Sequence, residues 1–145
     1  MPDKRKALLA RPRAIGLTIA LSFVANLSAH ATEMADLLGT WEQVTSNAGA
    51  CPTCRVEFQN TPHGAIVVAN NGWRADRLAP ETGGPANGFG RWRDERAASR
   101  VSGRSFTVTC RSEESGLLAM TMTVNTGPGR QSVVRGSYRR AWQGM

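Results

Sequence analysis

The chain has 145 residues, 18 of them Lys or Arg against 11 Asp or Glu, for a formal net charge of +7. That length holds a single domain with room for a leader, and is too short for two ordinary domains. The charge excludes less than it first suggests. Five basic residues against Asp3 fall within the first 13 positions, a net +4 that leaves only +3 downstream. The later arginines alternate with acids, as in Arg91-Trp92-Arg93-Asp94-Glu95-Arg96. A nucleic-acid protein concentrates its basic residues on one face, so nucleic acid is not the expected partner.

The N-terminus reads as a secretory signal peptide over residues 1–31. Lys4, Arg5, Lys6, Arg11 and Arg13 form a basic region, and Ala14 to Leu27 is an uncharged apolar run. That run is shorter than the roughly 20 residues a membrane-spanning helix needs. Ser28-Ala29-His30-Ala31 then places small residues as a signal peptidase requires, with the cut expected after Ala31 or, failing that, Ala29. The expected mature chain is one domain, residues 32–145, periplasmic or secreted and without a membrane segment once the leader is removed.

Within that domain, helical periodicity is confined to Thr32 to Leu38. Short runs of alternating polarity follow, separated by turn chemistry. The first is Leu38 to Thr45. The second, Cys54 to Gln59, puts Cys54, Val56 and Phe58 on one face. Gly64 to Asn70 leads into Asn71-Gly72, a hairpin signal, and then Trp73 to Leu78. Ala79 to Gly88 holds two Pro and three Gly, and reads as a long loop. Phe89 to Arg96, Arg104 to Arg111, Leu117 to Thr126 and Gln131 to Ala141 complete the set.

About eight short strands with turns every 8–12 residues point to an all-β fold. Successive strands joined by short turns favour a small up-and-down antiparallel barrel, which leaves no exposed sheet edge. In this setting Leu38-Gly39-Thr40-Trp41 resembles the Gly-x-Trp opening of the calycin-type barrels: lipocalins, avidins and bacterial protease inhibitors. The resemblance implies an arginine near the last strand lying against Trp41. Arg139, or its neighbour Arg140, stands where that residue would be. It also implies action by binding, with a protease-inhibitor-like role among the options.

The mature chain has three cysteines. Cys51-Pro52-Thr53-Cys54 has the spacing of a thiol–disulfide couple, but the following residues alternate as a strand and supply no helix N-terminus to hold a thiolate. Cys54 shares a face with Val56 and Phe58, and Cys110 shares one with Phe106 and Val108. A Cys54–Cys110 disulfide is therefore expected, with Cys51–Cys110 left open as the alternative.

Other candidates for chemistry are sparse. His63 is the one histidine after the leader and sits in a turn. Asp94-Glu95 and Glu113-Glu114 are adjacent pairs, which on a strand point to opposite faces. Met120 and Met122 continue an apolar face through Leu118 and Val124 and read as core. No metal, cofactor or catalytic group is expected. The remaining candidate is Trp73-Arg74 with Trp92-Arg93, a composition suited to recognition, with the loop Ala79 to Gly88 forming one lip. The sequence thus points to a barrel that binds a small ligand or another exported protein. The competing reading is an exported redox protein using Cys51 and Cys54.

Overall fold

The computed structural model describes residues 33–93 and 101–142. The leader, the domain's first residue and Asp94 to Arg96 lie outside the described residues. A single helical turn, α1 (Met34–Leu37), is followed by eight strands: β1 (Gly39–Ser46), β2 (Arg55–Thr61), β3 (Gly64–Ala69), β4 (Trp73–Pro80), β5 (Ala86–Trp92), β6 (Ser105–Ser112), β7 (Leu118–Gly127) and β8 (Arg130–Arg140). They form a closed barrel in sequence order, β8 returning to pair with β1. Every pairing is antiparallel, so the fold is the expected all-β up-and-down barrel. Among the described residues no helix is long and apolar enough to cross a membrane.

Period-two patterning builds the interior. On β6, Phe106, Val108 and Cys110 point inward; on β7, Leu118, Met120, Met122 and Val124 do the same. The register sets Phe106 opposite Val124, Val108 opposite Met122 and Cys110 opposite Met120, so the two inward rows pack in layers. Met120 and Met122 are therefore core residues, as their pattern indicates. β4 departs from strict alternation: Trp73, Ala75 and Leu78 are its buried positions. A bulge between Asp76 and Ala79 absorbs the extra residue. Arg77 takes a left-handed φ of 56° there.

The fifth strand corrects the sequence reading. It begins at Ala86 rather than Phe89, and the connection before it is only Glu81 to Pro85. The reason is that inward positions on β5 are occupied by glycine, which leaves no apolar alternation to read. A Cβ at Gly88 would come within 3.0 Å of the Leu78 side chain. At Gly90 a Cβ would overlap the Phe106 ring and the Arg74 carbonyl oxygen. Large side chains from neighbouring strands thus fill the space these glycines vacate.

Up-and-down connectivity gives the barrel two unlike ends. At one, α1 and the β2–β3, β4–β5 and β6–β7 turns gather. Leu37, fully buried, plugs that end, and the Trp41 indole N–H donates to the Leu37 carbonyl at 2.8 Å. The Arg140 guanidinium lies over the Trp41 ring, 4.5 Å from its centroid. Arg139 is not the ring's partner. Tyr138 points inward, so alternation turns Arg139 outward, 3.5 Å from Glu42. The other end, where the β1–β2, β3–β4, β5–β6 and β7–β8 connections meet, is the mouth.

Candidate functional site

The mouth encloses a cavity of about 630 Å³. Its walls come from strand ends whose inward positions carry large or apolar side chains: Trp73 from β4, Trp92 from β5, Val124 from β7, and Val134 and Tyr138 from β8. Its rim is polar, with Gln43, Ser46, Asn71, Thr126 and Ser132. Below it the interior is filled. Phe106 is 2% exposed and takes both indoles edge-on, Trp73 at 5.6 Å and Trp92 at 4.8 Å between centroids. The cavity is a cup with both indoles in its wall, braced from behind by Phe106.

The expected recognition residues are brought together and then divided by the sheet. Trp73 and Trp92 are direct cross-strand partners, and both line the cup. Arg74 and Arg93 take the outward positions next to them. Arg74 pairs with Asp76 at 2.8 Å, and it borders a second recess together with Phe89, Arg91, Trp92 and Arg93. Alternation therefore leaves Trp73 to the cup and the arginines to the outer recess, while Trp92 borders both. The loop expected as a lip is also misplaced. Glu81 to Pro85 lies at the α1 end, a strand's length from Trp73. The lip is instead the β1–β2 connection, which places Ala48, Gly49, Ala50 and Cys51 on the cavity.

That connection carries the disulfide, and it is not the expected one. Cys51 bonds Cys54, and Cys110 is unpaired and buried. Alternation gives the face a side chain takes but not its height in the barrel. Cys54 stands at the mouth, just before β2. Cys110 is near the far end of β6, opposite Ala86 and Met120. Cys54 bonds Cys51, its neighbour in the same connection, instead. Burial pushes the Cys110 thiol up from 9.0 to about 12, which makes it a poor nucleophile at neutral pH.

His63 is exposed in the β2–β3 turn at the α1 end, away from the cup. Among the described residues no three His, Cys, Asp or Glu side chains come together as a metal site.

One residue of the cup had no signal in the strand pattern. Tyr138 sits low on β8, yet its ring leans toward the mouth across Gly136. A Cβ at Gly136 would lie 3.2 Å from Tyr138 Cε2 and 3.6 Å from its hydroxyl. The glycine two positions earlier on the same face is the feature that marks where the ring goes. Tyr138 is 7% exposed, and its hydroxyl has no hydrogen-bond partner among the described residues. Burial, with a smaller contribution from Cys110, pushes its pKa up from 10.0 to about 12, so the phenol stays protonated and remains a donor. The indole N–H of Trp73, 3% exposed, is likewise without a partner among these residues, in contrast to Trp41. Tyrosine and tryptophan each carry one polar atom on an apolar body, which an acceptor entering the cup can meet.

Compared with protein-family models, with curated proteins and with solved structures, the chain matches none.

Proposed function

We propose that this protein is an exported binding protein that takes a small ligand into the barrel mouth and acts without catalysis. The observation that carries the reading is the 630 Å³ cup, walled by Trp73, Trp92 and Tyr138, with its two indoles packed against Phe106. Sites of this kind, apolar with a few convergent polar groups, are the usual form of a small-ligand pocket. The calycin-type resemblance agrees with it through Gly39, Trp41 and the Arg140 contact, and extends the candidate partners to another exported protein. In this reading residues 1–31 are removed on export and the barrel works in the periplasm or outside the cell.

The test is intact and native mass spectrometry of the protein recovered from the exported fraction, beside its Trp92→Ala variant. The expected wild-type mass starts at Thr32 and carries a non-covalent guest that the variant loses. A protein that retains its leader, or one whose guest is indifferent to Trp92→Ala, contradicts the proposal.

The Cys51–Cys54 bond favours a second reading, an exported thiol–disulfide protein. Against it stands the bond's setting: Cys54 is buried, and the segment that follows is a strand rather than a helix. Reactive cysteines usually depend on a helix N-terminus or a cation beside the thiolate. Replacing Cys51 and Cys54 by Ser decides between the two. Binding that survives the change supports the cup; loss of function in a folded variant supports redox chemistry.

A further inference from the structure

We propose that the mouth selects an uncharged, planar aromatic molecule bearing an acceptor oxygen, which it seats on the Tyr138 hydroxyl. The inference rests on the binding reading above and specifies its ligand. Three observations carry it. No Asp, Glu, Arg, Lys or His is among the described residues that line the cup. An ion entering it would lose water and gain no counter-charge from them, a cost that a neutral molecule avoids. The walls include two indoles, both packed edge-on against Phe106, surfaces that favour a flat π-system.

The third observation fixes the polar end. Several rim groups are already engaged: the Gln43 amide donates to the Gly49 carbonyl, and the Ser46 hydroxyl accepts from the Ala48 N–H. Tyr138 is more than nine-tenths buried, leans toward the mouth over Gly136 and donates to no described residue. A donor that borders the cup and has no protein partner is open to a ligand oxygen, which adds one neutral hydrogen bond to the affinity. The chemical class is thus an aromatic ketone, quinone, aldehyde or ether, as opposed to a carboxylate or an amine.

Three probes of matched shape test the proposal: acetylnaphthalene, naphthoate and ethylnaphthalene, titrated against the full exported protein by tryptophan quenching and calorimetry. The ketone should bind about tenfold or more tighter than the carboxylate. It should exceed the hydrocarbon by roughly three- to tenfold, the worth of one neutral hydrogen bond. Tyr138→Phe should abolish the advantage of the ketone over the hydrocarbon while the hydrocarbon's affinity stays. A carboxylate that binds as well as the ketone overturns the proposal, as does a ketone preference that persists in Tyr138→Phe. Equal affinity for all three would show a cup that binds without this selectivity. If none of the three quenches the wild-type protein, the mouth is not a small-ligand site and the underlying reading falls too.

Discussion

The Arg140 guanidinium closes the barrel by lying 4.5 Å from the Trp41 ring centroid while donating to two main-chain carbonyls, Asp36 at 2.6 Å and Leu38 at 2.7 Å. One side chain near the C-terminus of the barrel thereby holds both the first strand and the helical turn before it. Trp41 completes the arrangement by donating to the Leu37 carbonyl. The contact joins residues almost a hundred positions apart, and it seals the end opposite the mouth.

Arg140→Lys should destabilise the barrel by about 1–2 kcal/mol, because lysine keeps the charge but has no planar fork to stack and donate at once. Arg139→Lys should change stability by less than about 0.5 kcal/mol, since its partner among the described residues is the surface carboxylate of Glu42. Urea denaturation of the two variants measures the difference. Equal effects would show that the cation–π closure is not what holds this end.

The Cys51–Cys54 bond closes a very short loop. The chain-entropy relation gives such a loop about 2 kcal/mol, roughly half of what a bridge to Cys110 would contribute. The double Ser variant should therefore still fold, with a loss of about that size. Thiol labelling of the native wild type should find no reactive group, and labelling after denaturation should find one, Cys110. A disulfide map that links Cys110 to either other cysteine would refute the pairing.

Two buried acids make stability fall at high pH. The folded protein holds Cys110 and Tyr138 at about 12 each, above their ordinary 9.0 and 10.0. Below pH 9 both groups are neutral in the folded and unfolded states, and their contribution is fully present. Above it the unfolded chain loses protons first, so stability declines until the folded groups also ionise near pH 12. By about pH 11 the combined loss should be roughly 4 kcal/mol. Cys110→Ala should remove the larger part of that slope, read as the urea midpoint against pH. Tyr138 is the single tyrosine, so phenolate absorbance of the native protein follows it directly and should rise only near 12.

Gly90→Ala should cost about 3 kcal/mol or more, because its Cβ would meet the Phe106 ring and the Arg74 carbonyl at once. Gly129→Ala is the control for a left-handed glycine with open space around it, where only the strain of its φ of 65° is at issue. Its loss should be about 1 kcal/mol. Thermal unfolding of the pair compares them; a Gly90→Ala variant as stable as the wild type would mean that β5 does not pack as described.

Much of the architecture was legible in the order of residues. Alternation along β2, β6 and β7 marks the inward faces because successive side chains on a strand must take opposite sides. Asn71-Gly72 marks the β3–β4 turn, and Gly72 does adopt a positive φ of 105° there. Gly39 and Trp41 mark the start of the first strand and its plug. These are local constraints, each settled by a few neighbouring residues.

What the tertiary structure decided is height around the barrel and which wall a side chain joins. Cys54 and Cys110 share the interior but not a level, so the short Cys51–Cys54 bond forms instead. Trp73 and Trp92 meet across β4 and β5 while the arginines beside them face solvent, a division that adjacency in the chain conceals. Gly88 and Gly90 read as loop because their space is filled from other strands. Tyr138 reaches the mouth only because Gly136 leaves its ring a path. Each depends on pairing register and on close packing between distant segments, which local periodicity does not encode.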